Sequence, residues 1–117
     1  SGRLINPEVC ENQLNGGYYQ GVGFTLIEEL VHNDMGRIVN PNFAHYKIFR
    51  CGDLPDPKIH FVEQDDPVGP FGAKGLGEAP ICVPPGAIAL AIYNATGVWM
   101  TETPFTPERV LKALGKI

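Results

Sequence analysis

Four glycines interrupt the one long stretch of this chain that otherwise reads as helix, and they limit what it can fold into more than any other feature. Residues 9–32 read VCENQLNGGYYQGVGFTLIEELVH, with apolar residues at helical spacing and Gly16, Gly17, Gly21 and Gly23 among them. Each glycine costs roughly 1 kcal/mol against alanine in a helix interior. A helix that keeps all of them predicts close approach of another backbone, or of a ligand, to a surface without side chains. Asn6-Pro7 supplies a start, because asparagine caps and proline suits the first helical position. The pattern predicts an end near Asn33-Asp34. Gln13, Gly17, Gln20, Phe24 and Ile27 step by three or four residues and share one face.

Downstream, NDMG reads as a turn with Gly36 at positive φ, followed by RIVN as a short strand. KIHFVE alternates as a second strand, with Ile59 and Phe61 facing one way and His60 and Val62 the other. Asp65 to Pro80 holds too many glycines and prolines for anything but loop. After Pro84-Pro85, Ile88, Ala91, Ile92 and Ala95 make a helical stripe that Gly97 ends. TPERVLKALG is a short helix with Thr106 as cap, Pro107 at its first position and Gly115 as stop. The predicted class is therefore α+β: two main helices, a short C-terminal helix and a few short strands. Residues 1–117 make a single partial domain, and the long irregular stretches point to a piece of a larger body.

Bulk properties narrow the function. A net charge of −4 offers no basic footprint for nucleic acid. No apolar run approaches a membrane span and no signal peptide is read. The cysteines, Cys10, Cys51 and Cys82, are odd in number and lack CxxC spacing, which predicts buried structural thiols in a reducing, cytoplasmic setting. His32, His45 and His60 form no i, i+4 pair, so no metal ligand set is expected on the chain itself.

PFGAKGLGEAP, residues 70–80, places one acid at the end of a breaker-rich loop. It has neither the spacing of a phosphate loop nor that of a dinucleotide turn. Glu78 reads in two ways: as a solvated carboxylate, alone or paired with Lys74, or as a general base. The second reading draws on the apolar neighbours Leu76, Ala79, Pro80 and Ile81, which would penalise the charged form and raise a carboxyl pKa; the residues alone leave both open, with the solvated carboxylate the simpler. Gln13 and Gln20 offer primary amides that donate and accept, which suits a ligand rich in oxo groups or ring nitrogens. Glu28 and Glu29 read as a solvated face, with Arg37 or Lys47 as partners within reach.

Three stretches together resemble one family. INPEVCENQLNGGYYQGVGFTLIEEL, NPNFAHYKIFRCGDLP and GPFGAKGLGEAPICVPPGAIALAIYNATG resemble, in this order, the C-terminal region of the molybdenum-binding subunit of the xanthine dehydrogenase and aldehyde oxidase family. The resemblance implies a molybdenum–pterin cofactor. Glu78 would be the catalytic base, Gln13 a hydrogen-bonding contact to the cofactor, and Lys74, Gly75, Leu76 and Gly77 the loop that lies against it. It implies insertion of water-derived oxygen into a C–H bond of an N-heterocycle or aldehyde. Iron–sulfur clusters and FAD would sit on other parts of the complex. The implied partners are the remainder of the large subunit, the iron–sulfur and flavin components, and a small-molecule substrate. Alone, the chain is expected to be inactive. A non-catalytic assembly module whose glycine face receives a partner protein is the alternative, and self-association through that uncovered face is a third expectation.

Overall fold

A computed structural model describes residues 1–117. Three helices carry the regular structure: α1 over Pro7–Leu26, α2 over Pro84–Thr96 and α3 over Pro107–Ala113. The predicted caps at the starts of α1 and α3 and at the end of α2 form. The Asn6 side chain accepts the Val9 N–H at 3.2 Å ahead of Pro7. The Thr106 hydroxyl accepts the Arg109 N–H at 3.3 Å ahead of Pro107. Gly97 closes α2 in the left-handed region, its N–H donating to the Tyr93 carbonyl at 2.7 Å.

The predicted strands are absent, and the fold is mostly helical rather than α+β. RIVN contributes one antiparallel bridge, His32 to Ile38, around an Asn33–Gly36 turn. Asn40 closes the ladder there: its side-chain amide donates to the Glu29 carbonyl at 2.6 Å and its oxygen accepts the Val31 N–H at 2.9 Å. KIHFVE is extended but has no partner strand. Its hydrogen bonds go to the N-terminal residues, with Ser1 donating to the Val62 carbonyl at 2.9 Å and the Leu4 N–H to the Glu63 carboxylate at 2.9 Å. Alternation specifies a strand only where a neighbour supplies the ladder.

Helix α1 also stops earlier than its pattern predicts. The Ile27 and Glu28 N–H groups both turn onto the Gly23 carbonyl. Glu28 then folds back to accept the Tyr46 hydroxyl at 2.7 Å, and Glu29 pairs with Arg109 at 2.6 Å. Both acids were expected on a solvated face; instead each takes a distant partner, and neither meets Arg37 or Lys47. The Glu28 carboxylate pushes the Tyr46 hydroxyl up to about 12, because ionising it would break that hydrogen bond, with partial burial adding to the effect.

The interior is made by backbone against backbone. Nine of 117 residues are buried, and Gly2, Gly17, Gly21, Gly23, Pro84 and Pro104 are most of them. Val22, Thr25 and Phe105 complete the set, with the Phe105 N–H donating to the Thr25 carbonyl at 2.6 Å. The radius of gyration is 17.9 Å, against about 13 Å for a self-contained domain of this length. The chain drapes rather than closes. Ala79–Thr96 is 18 residues long and apolar enough, by length and composition, to cross a membrane, contrary to the expectation that no run approaches that size. Its helical part is the 13 residues of α2, about 20 Å long against ~30 Å of hydrocarbon.

Candidate functional site

The loop bearing Glu78 is held at both ends. At its base the Gly72 carbonyl accepts two N–H groups, from Arg3 at 2.9 Å and Asp66 at 3.0 Å. The Asp66 carboxylate accepts the Val68 and Gly69 N–H groups, each at 2.8 Å. Those two bonds hold its carboxyl below the usual value against the opposing effect of burial, with the Lys74 charge adding least. Phe71 adopts φ 54 there, a conformation that costs a residue with a side chain on the order of 1–2 kcal/mol.

At the far end, Glu78 opens the 3-10 turn Ala79–Cys82, its carbonyl accepting the Ile81 N–H at 3.0 Å. That turn lies across the glycines of α1. A Cβ on Gly17 would stand 2.9 Å from the Pro80 Cβ, and one on Gly21 would stand 2.7 Å from the Pro84 Cγ. The predicted close approach is thus made by this chain's own prolines. The buried row is Gly17, Gly21 and Thr25; Gln20 and Phe24, expected on the same face as Gly17, are exposed.

Between these anchors the backbone is unpartnered. None of the N–H groups of Lys74, Gly75, Leu76, Gly77 and Glu78 finds an acceptor in the chain. A Cβ on Gly75 or Gly77 would meet nothing within 4 Å. Consecutive free amides with open space beside glycine are the donor set that an anionic or oxo-rich group needs. The residues present therefore fit a pterin–metal cofactor with polar oxygen edges. A cavity of about 300 Å3 lies under the loop, bounded by Lys74, Gly75 and Leu76 with Leu14 and Phe61.

The side chains are less gathered than their roles require. Glu78 is exposed, and no hydrogen bond or ion pair holds its carboxylate. The pairing with Lys74 does not form; Glu29–Arg109 is the ion pair of the chain. Gln13 is exposed one turn before Gly17, so it borders the surface Pro80 covers without bonding to the loop. Asn15, which the sequence reading passed over, keeps its Oδ1 buried with no donor. The cysteines are not the buried thiols expected: Cys51 and Cys82 are exposed and Cys10 is half-buried. A larger groove, about 760 Å3, runs between Leu14, Tyr18, Val22 and Leu26 of α1 and Ala87 and Ile88 of α2.

Residues 1–55, which include α1 and Gln13, match the molybdopterin cofactor-binding domain. Over 117 residues the chain is 38% identical to the probable hypoxanthine oxidase XdhD of Escherichia coli K12, covering 99% of this chain and 12% of that protein. The chain belongs to the xanthine dehydrogenase and aldehyde oxidase family. Within that family it is 37% identical to the aldehyde oxidoreductase molybdenum-binding subunit PaoC of E. coli K12, covering 97% of this chain and 16% of the relative. Its structure superposes on quinoline 2-oxidoreductase from Pseudomonas putida 86 with a TM-score of 0.90 at 34% identity, over 98% of this chain and 15% of that one. The chain thus spans about one-eighth to one-sixth of the length of these relatives. It matches a segment of proteins that include a molybdenum-binding subunit, and its first 55 residues match the molybdopterin cofactor-binding domain.

Proposed function

We infer that this chain supplies one wall of a molybdenum–pterin site in a hydroxylase of which it is a segment, with Glu78 as general base. The run of free amides from Lys74 to Glu78, ending on an exposed carboxylate, carries the reading. When bound, the cofactor supplies two-electron oxidation and oxygen transfer to carbon. The chain's own contribution is electrostatic and acid–base. The amides of Gly75, Leu76 and Gly77 bind the cofactor's oxygen edge, and the missing Cβ atoms let it approach the backbone. Gln13 adds a side-chain amide from the neighbouring turn of α1. The Glu78 carboxylate would take a proton from the water-derived oxygen as a C–O bond forms at an electron-poor carbon of an N-heterocycle or an aldehyde, and the C–H bond that breaks would give up its hydrogen as hydride, the electron pair that the bound cofactor accepts. Within this chain that carboxylate is exposed. Electrons leave through iron–sulfur and flavin components elsewhere in the complex.

Glu78→Gln in the complete enzyme should lower kcat by about 10²–10⁴-fold, the usual contribution of a positioned base, with molybdenum content unchanged. Unchanged turnover would remove Glu78 from the chemistry. The assembly-module alternative is weakened by one observation: Gly17 and Gly21, the surface it needs for a partner, are already covered by Pro80 and Pro84.

A further inference from the structure

Gly17 and Gly21 stand one turn apart on α1, and Pro80 and Pro84 repeat the same i, i+4 spacing on the segment that crosses it. The pairs meet in register. A Cβ on Gly17 would lie 2.9, 3.1 and 3.2 Å from the Cβ, Cγ and Cδ of Pro80. A Cβ on Gly21 would lie 2.7 Å from the Pro84 Cγ, 2.9 Å from the Ile81 carbonyl oxygen and 3.2 Å from the Ile81 Cα. Gly16, next in sequence, has nothing within 4 Å of its own Cβ position. The requirement for a missing side chain therefore belongs to this register and not to the helix as a whole.

What the glycines meet cannot step aside. A proline ring has no free χ1 to rotate away, and the Ile81 carbonyl is main chain. A methyl group at either position must move the crossing segment. Glu78 travels with that segment, because it lies two residues before Pro80 and its carbonyl is tied to the Ile81 N–H at 3.0 Å. We propose that Gly17 and Gly21 are positioning residues that set how far the Glu78 carboxylate stands from the reacting atoms. The inference rests on the reading of Glu78 as base. A misplacement of about 1 Å at a reacting centre costs on the order of 10²-fold in rate, so a shift too small to unfold α1 is large on the scale of proton transfer.

The test uses the complete enzyme carrying Gly17→Ala, Gly21→Ala, Pro80→Gly, Gly16→Ala or Glu78→Gln. Hydrogen exchange across residues 73–82, molybdenum content, KM and kcat are read for each. Gly17→Ala and Gly21→Ala should each raise exchange across 73–82 by about threefold or more. Each should lower kcat by about tenfold or more, with KM and molybdenum content held within about twofold. Gly16→Ala, which touches no part of the crossing segment, should raise exchange at 73–82 no more than across the rest of the subunit. On a Pro80→Gly background the added effect of Gly17→Ala should shrink below about twofold, because the other side of the contact is gone. Should Gly17→Ala not fold, Pro80→Gly carries the test, since it removes the same contact without adding bulk and must raise exchange.

Unchanged exchange and kcat in both alanine variants overturn the proposal. So does a fall in kcat that persists undiminished on the Pro80→Gly background. If Glu78→Gln leaves kcat unchanged, the base assignment falls by itself, and exchange alone then decides whether the glycines seat the segment.

Discussion

Expressed without the rest of its subunit, this chain should fail to fold cooperatively. Its accessible surface is 8593 Å2, against about 6,200 Å2 for a closed monomer of the same mass. The excess, about 2,400 Å2 on this partner alone, belongs to the range of obligate interfaces. If about 57% of it is apolar, covering it corresponds to on the order of 30 kcal/mol of burial at ~25 cal/mol per Å2, as an upper estimate. Whole domains are stable by only about 5–15 kcal/mol, so the isolated chain lacks several times its own margin. Phe43, Val62, Val68 and Phe71, each more than four-fifths exposed, show where the cover is missing. The assay is calorimetry with dye binding and gel filtration on the isolated chain. A broad transition with little excess heat, strong binding of a hydrophobic dye and self-association are the expected results. A monomer with one sharp calorimetric transition and no dye binding would refute the reasoning.

Two further perturbations probe the site's supports. The Asp66 carboxyl is held below its ordinary value of 3.8 by the Val68 and Gly69 amides. A depressed carboxyl stabilises the loop base above that value and loses the contribution as pH falls through the lowered one. Protection factors of the Val68 and Gly69 amides should therefore hold at neutral pH and collapse in acid below it; Asp66→Ala should abolish them at every pH, and acid-insensitive protection would contradict the assignment. Gly16→Ala should raise the helical signal of the isolated chain, removing roughly 1 kcal/mol of propensity cost, yet destabilise the complete subunit. Equal effects in both settings would mean that nothing outside the chain approaches Gly16.

What the sequence made legible was local. Asn6-Pro7, Thr106-Pro107, Gly97 and the Asn33–Gly36 turn act through neighbours a few residues away, and each behaves as its chemistry demands. The errors concern partners far along the chain. EELVH is a good helical ending, but Glu28 finds Tyr46 18 residues on and Glu29 finds Arg109 80 residues on, so the helix stops at Leu26. KIHFVE has strand periodicity without a strand to pair with. The loop bearing Glu78 was legible as a loop, from its breakers, and its link to α1 was written as matching i, i+4 glycines and prolines. Nothing local pairs those two motifs, so the register emerges only from the fold.

The glycines of this chain sort by what surrounds them, and the sorting argues for the reading above. Several, such as Gly36 and Gly97, sit at positive φ in turns and caps. Gly17 and Gly21 admit the prolines, and Gly2 admits the backbone at Ala73. Gly16, Gly75, Gly77 and Gly86 do neither: their φ is ordinary and a Cβ would meet nothing within 4 Å. Glycine at such positions carries a cost in chain entropy with no return inside this chain. Gly75 and Gly77 flank Leu76 in the run of unpartnered amides, and Gly16 lies on α1 beside the Gly17 that seats Pro80. The cost is offset only if another body lies against these surfaces. The chain covers 12% and 16% of the two relatives above, and Gly16→Ala tests whether such a body reaches α1.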